Sequence, residues 1–405
     1  MKLAILTSGF LPVPASKGGA VENLIVNMIN QNEKEKKIEI TLFSIYDKDA
    51  MEEAKKYKKT KVIFIKTNPI CKVLDKIIYW LAKNIFRKNN LHSYRFIIQR
   101  LDFLNKISKR LKKDNYDKIL LENHPTQYLA LKWRRNYKKY EDKYYYHCHN
   151  EFSGEYGCHK IILKTKKIIC VSNYIKESLC KYLNMDKEKF EVLRNCIDKN
   201  IFKNNILKEE RDIIRKKLEI KKDEIVFVFT GRIVKEKGVL ELVKATRLVN
   251  KNNFKVLIIG ASLNAINNKS KYEEVVQKNL IGIEKKVIFT GYIDYADIYK
   301  FYNISDVAIV PSIWNDPAPL SVIEALCCGL PIITTKSGGI LEYANEKCAI
   351  LLDRDEKIVN NIAQAMKELI DNKEARKKMS AESIAISDDL TVENYYKNIS
   401  YILGI

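Results

Sequence analysis

Arg232 and Lys237 stand five residues apart, just past the apolar run Ile225–Thr230, with Gly231 before the first and Gly238 after the second. Two cations on a strand-to-helix turn can both point at one pyrophosphate, beside the free N–H groups at the start of the next helix. Farther on, Pro311-Ser312-Ile313-Trp314-Asn315-Asp316-Pro317 leads into Ala318-Pro319-Leu320-Ser321 and then Glu324. Asp316 and Glu324 are eight residues apart, one on a loop and one in the first turns of a helix. That spacing lets both carboxylates face one crevice and accept hydrogen bonds from hydroxyl groups. Gly329-Leu330-Pro331, Ser337-Gly338-Gly339 and Glu342 complete this block.

A second group of reactive side chains lies earlier, in Tyr146-His147-Cys148-His149-Asn150 and Cys158-His159. His147, His149, Cys158 and His159 are all zinc-ligand types. Strand alternation puts His147 and His149 on one side of a strand end, but no Cys-x2-Cys knuckle accompanies them, so zinc is not expected. Asp353-Arg354-Asp355 has the form of a metal-binding Asp-x-Asp, yet it follows Cys348–Leu352 in a charged loop with no supporting context. A solvated turn is expected there, and no essential metal.

These groups must be carried by a repeating framework. Short apolar runs predict strands at Lys2–Thr7, Ile38–Ser44, Lys61–Ile65, Lys118–Leu121, Lys143–Tyr146 and Lys167–Val171. A second series reads as strand Ile225–Thr230, helix from Val239, strands Lys255–Ile259, Val287–Thr290 and Val307–Val310, helix from Ser321, and strand Pro331–Thr335. Short strands alternating with helices call for parallel sheets with crossovers. Two such series predict an α/β protein of two doubly wound Rossmann-like domains, with ligands at the carboxyl ends of the strands. The expected boundaries are 1–198, 199–389 and a last helix at 390–405. The region Ile70–Lys113 reads as a long helical stretch. In it Val73, Leu74, Ile77, Ile78, Leu81 and Ile85 recur at three and four, interspersed with Lys72, Lys76, Lys83, Arg87 and Lys88, and at least one face must pack on the sheet.

The 405 residues carry a net charge of +22, unevenly spread. Residues 1–200 hold 41 basic against 22 acidic side chains, and residues 51–150 hold 25 against 9. Such asymmetry implies an anionic partner for the first half: nucleic acid, a membrane face or a phosphorylated substrate. The short apolar run before Pro12 lacks a signal-peptide cleavage site, no stretch is long enough to span a membrane, and nine irregularly spaced Cys suit a reducing compartment. A cytoplasmic protein is the expectation.

With these residues in view, the chain resembles the retaining glycosyltransferases of the GT-B fold, family 4. The likeness rests on Gly231-Arg232 with Lys237-Gly238, a Glu-x7-Glu pair in which Asp316 takes the first place, Gly329-Leu330-Pro331 and Ser337-Gly338-Gly339. Earlier parts of the chain add Lys17-Gly18-Gly19-Ala20, a strand ending in His, Val171-Ser172-Asn173 and Asn195-Cys196-Ile197-Asp198. The resemblance implies two domains facing a central cleft and transfer of a sugar from a UDP- or GDP-linked donor with retention. It implies that Arg232 and Lys237 hold the donor diphosphate, Glu324 the ribose, and amides at Leu320 and Ser321 the phosphates. Gly18 and Gly19 would approach the same phosphates. Gly231 would form the turn, Gly291-Tyr292-Ile293 the base pocket, and Asp316 would lie near the donor sugar. His149, with His147 second, would lie at the reaction centre. Three departures stand out: Asp316 is one methylene shorter than Glu, Pro319 stands where Gly is common, and Cys196 replaces Gly.

The basic first half, which binds the acceptor in this fold, points to a lipid-linked glycan intermediate of surface polysaccharide (capsule, O-antigen or similar). The protein would then sit peripherally on an anionic membrane face, the inner face of the cytoplasmic membrane. A sugar-nucleotide epimerase of the same fold is the nearest enzyme alternative. A basic nucleic-acid-binding protein would explain the charge but not the Asp316–Glu324 block, and no recognised nucleic-acid module is present.

Overall fold

The computed structural model describes residues 1–86, 95–260 and 271–405. The chain divides into two compact units, Met1–Leu193 together with Tyr395–Ile405, and Arg194–Asn394. In the first unit the strands are β1 (Lys2–Leu6), β2 (Glu39–Ile45), β3 (Thr60–Ile65), β4 (Lys118–Glu122), β5 (Tyr144–Cys148), β6 (Ile168–Cys170) and β7 (Phe190–Val192). They form one sheet in the order β3-β2-β1-β4-β5-β6-β7, and every pairing is parallel. Leu3 to Leu6 are wholly buried, which fits a strand covered on both faces by crossover helices. β7 was not foreseen, because Phe190-Glu191-Val192 sets a charged residue between only two apolar ones, and neither was β13 (Ala349–Leu352) of the second unit.

In the second unit the strands are β8 (Ile225–Thr230), β9 (Phe254–Ile259), β10 (Val287–Gly291), β11 (Val307–Val310), β12 (Ile332–Thr335) and β13 (Ala349–Leu352). Their order is β10-β9-β8-β11-β12-β13, again all parallel. Two apolar layers line its faces, one containing Val226, Val228, Ala308 and Leu326, the other Phe227, Phe229, Val243 and Met366. Alternate residues of β8 thus feed opposite layers. In both sheets the winding reverses beside the first strand, between β1 and β4 and between β8 and β11. Those gaps are where a doubly wound sheet receives ligands.

The last helix, Val392–Leu403, contributes Tyr395–Ile405 to the first unit. The Tyr396 hydroxyl donates to Asn32 Oδ1 at 2.7 Å, and the Asn32 side-chain amide donates to the Ile38 carbonyl at 2.9 Å.

The helical stretch after β3 departs from expectation. It is two helices, Pro69–Asn84 and Ile97–Lys113, while Arg87 and Lys88 lie outside the described residues. The second helix buries Phe103, Leu104, Ile107 and Leu111, as a core-facing stripe should. The first is turned the other way. Ile70, Val73, Leu74, Ile77 and Trp80 are exposed, Trp80 at 56%, while Asp75 is 1% exposed. Asp75 explains the orientation. Its carboxylate accepts from Ile98 N at 2.8 Å, Gln99 N at 3.0 Å and Gln99 Nε2 at 2.9 Å. It satisfies the N-terminus of the next helix, where the residue before Ile97 supplies no side-chain cap. Turning the apolar stripe inward would pull Asp75 off those donors.

Two glycines at nearly the same backbone angle provide a stability test. Gly18 (φ 69) has nothing within 4 Å of an added Cβ, whereas at Gly238 (φ 72) a Cβ would sit 1.9 Å from the Pro311 carbonyl oxygen. Positive φ alone costs a side chain on the order of 1–2 kcal/mol. Gly18→Ala should therefore lower Tm by about 2–6 °C, and Gly238→Ala by roughly 10 °C or more. Equal shifts in thermal unfolding would show that the Pro311 contact relaxes freely.

Candidate active site

The β8–β11 gap gathers most of the residues singled out in the second half. β8 ends at Thr230 and runs into Gly231-Arg232, then the turn Lys235–Lys237, Gly238 and the helix Val239–Leu248. β11 ends at Val310 and runs through the Pro311–Pro319 loop into the helix Leu320–Cys327. The two loops touch: Ile313 N donates to Glu236 O at 3.0 Å, and Gly238 leaves room for the Pro311 carbonyl.

Lys237 and Asp316, expected to serve different parts of a donor, are paired with each other. Lys237 Nζ lies 2.5 Å from Asp316 Oδ2, with Ser312 Oγ donating to the same oxygen at 3.3 Å. Trp314 flanks the pair, its ring centroid 6.0 Å from Lys237 Nζ. Asp316 is held at its backbone too, since its carbonyl accepts from Gly339 N at 2.9 Å and leaves no room for a Cβ at Gly338. A buried carboxylate therefore aims a half-buried ammonium. Arg232 is exposed and has no ion-pair partner among the described residues, so its charge is free for a ligand.

Glu324 is buried one helical turn beyond the amides of Leu320 and Ser321. The Tyr302 hydroxyl donates to its Oε2 at 2.9 Å and also contacts Thr230 Oγ1 at the end of β8. Burial lifts the Glu324 carboxyl to about 7, against the lowering effect of Tyr302 and Tyr295. Tyr302, Tyr295 and Thr230 were not legible as site residues, because each reads locally as an ordinary core or strand-end position. In the sequence Asn195 stands out only as the first residue of Asn195-Cys196-Ile197-Asp198. It donates from Nδ2 to the Ala318 carbonyl at 3.0 Å, bracing the loop before Leu320, and its neighbour Cys196 is buried.

Gly231 and Gly260 follow β8 and β9, Gly291 ends the neighbouring β10, and together they form a glycine rim. Gly231 N donates to Ile259 O at 3.0 Å, and Gly260 N to Gly291 O at 2.9 Å. A Cβ on Gly260 would meet the Gly231 carbonyl oxygen at 1.9 Å. Gly260 was missed, although a Gly closing an apolar strand was the available signal. Beside the rim Tyr292 is exposed, while Ile293 packs on the core.

In the first unit, the β1–β4 gap holds Glu122 at the end of β4 and, on β5 and just past it, His147 and His149. Register pairs Glu122 directly with His147. Glu122 Oε2 lies 3.1 Å from both His147 Nδ1 and His149 Nε2, and the two ring nitrogens are 3.2 Å apart. Burial alone would raise Glu122, but His147 and His149 outweigh it and hold the carboxyl at about 2. A carboxylate only accepts, so the ring nitrogens facing it carry the protons. Burial, with the His147 charge next, lowers His149 to about 4, which leaves it neutral with Nδ1 as an acceptor. Among the described residues these three side chains form one grouping able to hold a metal ion, their ligand atoms within 4.8 Å of one another. Cys158 and His159 do not join it: Cys158 Sγ faces the Tyr156 carbonyl, and His159 pairs with Glu155 at 2.8 Å. Glu122 had not been singled out, since its partners lie 25 and 27 residues away.

Gly18 and Gly19 precede the helix Ala20–Glu35, and a Cβ on Gly19 would strike Glu22. Burial, then the nearby Glu122, raises Glu22 to about 7. In the Asp353-Arg354-Asp355 turn, Asp353 pairs with Lys336 at 3.1 Å, Arg354 donates to Asn315 Oδ1 at 2.6 Å, and Asp355 accepts from Lys357 N at 2.9 Å.

Two family descriptions match the chain: "Glycosyltransferase Family 4" over residues 47–200 and "Glycosyl transferases group 1" over residues 210–385. An uncharacterized glycosyltransferase of Methanocaldococcus jannaschii is 28% identical over 177 residues, 44% of each chain. An Escherichia coli UDP-Gal:alpha-D-GlcNAc-diphosphoundecaprenol alpha-1,3-galactosyltransferase is 31% identical over 179 residues, 43% of this chain and 44% of that one. The chain thus spans less than half the length of these two relatives. Among solved structures, a Rickettsia africae glycosyltransferase superposes with TM-score 0.76 at 20% identity, covering 99% of this chain and 97% of its own. Anabaena HepE in complex with UDP-glucose does so with TM-score 0.74 at 17% identity, covering 100% and 99%. Two matched descriptions that share out the two units, on a fold matched end to end, place the chain in the family 4 (group 1) glycosyltransferases of the GT-B fold.

Proposed function

We propose that the protein transfers a sugar, with retention of configuration, from a UDP- or GDP-sugar to a lipid-linked glycan intermediate of surface polysaccharide biosynthesis. One observation carries the donor half: Arg232 and the Asp316-aimed Lys237 stand at the end of β8, beside the N-terminus of the helix that bears buried Glu324. The departing nucleoside diphosphate gathers negative charge on phosphate oxygens. Arg232, Lys237 and the amides of Leu320 and Ser321 supply fixed positive charge for it without a metal. Glu324 receives the ribose hydroxyls, and the glycine rim with Tyr292 and Ile293 receives the base. Asp316, already engaged with Lys237, acts on the donor sugar from the same place. We assign Gly18 and Gly19 to the phosphates. His149, neutral and with Nδ1 free to accept, holds a hydroxyl at the reaction centre. A group titrating near 4 is a poor base, so the acceptor proton passes to a donor phosphate oxygen as attack occurs on the face the leaving group vacates. The HepE complex with UDP-glucose and the diphosphoundecaprenol-linked substrate named for the E. coli enzyme support this choice of donor and acceptor class.

The membrane reading gains support from the Pro69–Asn84 helix. No described helix is long and apolar enough to cross a membrane. This one presents Ile70, Val73, Leu74, Ile77 and Trp80 outward, flanked by exposed Lys72, Lys76 and Lys83, and its one acidic residue, Asp75, is buried. An apolar stripe with basic flanks suits the interface of an anionic bilayer. On this reading the protein sits peripherally on an anionic membrane, which we take to be the inner face of the cytoplasmic membrane.

With a donor identified by thermal stabilisation among UDP- and GDP-sugars, Lys237→Ala should lower kcat by about 10²–10³ at saturating donor. Unchanged turnover would remove Lys237 from the leaving-group role. Incubation of the donor alone should leave its sugar unconverted, whereas epimerisation without acceptor would favour the epimerase alternative.

Glu324 titrates near 7 in the free protein, and ribose hydroxyls favour its ionised form. Donor affinity should therefore fall about tenfold per pH unit below 7 and level off above it. Glu324→Gln should flatten that profile in calorimetric titrations. Folding carries the opposite sign. A raised folded pKa gives stability that is present below the ordinary 4.5 and lost as pH rises through 7. Glu324→Gln should therefore unfold at a higher temperature than wild type at pH 8 while binding donor less well.

In flotation assays the wild type should rise with phosphatidylglycerol-rich vesicles and not with phosphatidylcholine alone, and salt should weaken the binding. Replacing Ile77 and Trp80 together by Asp should cut the bound fraction by about tenfold. Equal recovery with both lipids would count against the membrane reading.

A further inference from the structure

We propose that Arg100 anchors an anion site on the first unit that takes a phosphoryl group of the acceptor. The proposal rests on the reading that this unit binds the acceptor.

Arg100 lies in the first turn of the Ile97–Lys113 helix. It lines a recess together with Gly9 and Phe10 after β1, Ile45 at the end of β2, and Ile65 and Lys66 at the end of β3. The recess therefore lies along the carboxyl edge of the sheet, where a doubly wound fold takes its ligands. The guanidinium sits over the Phe10 ring, 4.0 Å from its centroid. Its Nε and Nη2 atoms are buried and have no hydrogen-bond partner among the described residues. No carboxylate pairs with it there, and residues 87–94 and 261–270, outside that set, contain neither Asp nor Glu. Asp102, also on the recess, is engaged by Lys106 at 2.6 Å.

Arg215 shows how the same chain treats a purely structural arginine. Its guanidinium donates to the carbonyls of Ile304 at 2.9 Å, Lys221 at 2.9 Å and Glu224 at 2.6 Å, and it lies 3.6 Å from Asp306. Arg100 has none of these. Burial pulls its pKa down to about 10, which leaves it charged at neutral pH. Burial, then the Arg100 charge, drives His124 down to about 3. A cation kept without a counter-ion at a ligand-bearing edge is a site for an anion.

The ligand is a phosphoryl group because a second cation, exposed Lys66, lines the same recess, which suits a dianion better than a carboxylate. Arg100's helix is also the one that Asp75 ties to the outward-facing Pro69–Asn84 helix. A phosphoryl group carried on a lipid at the membrane surface would be presented to this part of the unit.

The test follows the His124 ring resonances by NMR in the full-length protein. To silence donor-site binding, both wild type and the Arg232→Ala/Lys237→Ala variant are titrated with inorganic pyrophosphate and with farnesyl diphosphate. A saturable shift of His124 is expected in both proteins. It should be lost in Arg100→Gln, weakened but present in Arg100→Lys, and reduced about threefold to tenfold in affinity in Lys66→Gln. Arg100→Lys and Lys66→Gln keep the test decisive if Arg100→Gln fails to fold. Farnesyl diphosphate binding at least tenfold tighter than pyrophosphate assigns the group to a lipid-linked acceptor, and equal binding to a soluble phosphorylated one. No saturable response to either probe, or responses undiminished in Arg100→Gln and Lys66→Gln, would overturn the site. Nucleotide-sugar stabilisation, measured separately in Arg100→Gln, should stay at the wild-type level. A protein that binds pyrophosphate at His124 but no nucleotide-sugar would keep the anion site and lose the transferase reading.

Discussion

A parallel sheet wound outward from its middle leaves one gap that no crossover helix covers, because the connections on either side depart in opposite directions. In this chain the gap lies between β1 and β4 in the first unit and between β8 and β11 in the second. Nearly every unusual side chain stands at one of these two places. Glu122 closes β4, Arg232 and Lys237 follow β8, and Asp316 follows β11. Within each unit, the neighbouring strands and helices hold these strand ends in place.

The two buried glutamates at these gaps show how neighbours decide charge. Glu122 and Glu324 are both almost fully enclosed, and burial pushes both carboxyls upward. Glu122 faces His147 and His149, whose charge and hydrogen bonds outweigh burial, and its carboxyl falls to about 2. Glu324 faces the phenols of Tyr302 and Tyr295, which donate hydrogen bonds without charge, and its carboxyl rises to about 7. One site is thus anionic before any ligand arrives. The other is held by neutral donors alone.

Much of this was legible in the sequence where the signal is local. The apolar runs foretold nearly all the strands, and Gly231-Arg232, Lys237-Gly238 and Glu324 could be read from spacing because the first two lie on a single strand-to-helix turn and the third in the helix just after another. Contacts set by sheet register could not be read. The pairing of Glu122 with His147 and His149 spans 25 and 27 residues, and that of Lys237 with Asp316 spans 79. Helical periodicity showed that Val73, Leu74 and Ile77 share a face but not which way the face points. That was decided by Asp75, a single polar residue bonded to the next helix.

The rim formed by Gly231, Gly260 and Gly291 has a consequence for how such a protein can diverge. A surface built of backbone alone offers an incoming planar ring only amide edges and shape, and no side chain at those positions can be exchanged to read a different ring. Gly260 cannot even be enlarged to alanine without displacing the Gly231 carbonyl. Under the proposed base-binding role, a change in which heterocycle fits would come from the border of the rim, at positions such as Tyr292 and Ile293.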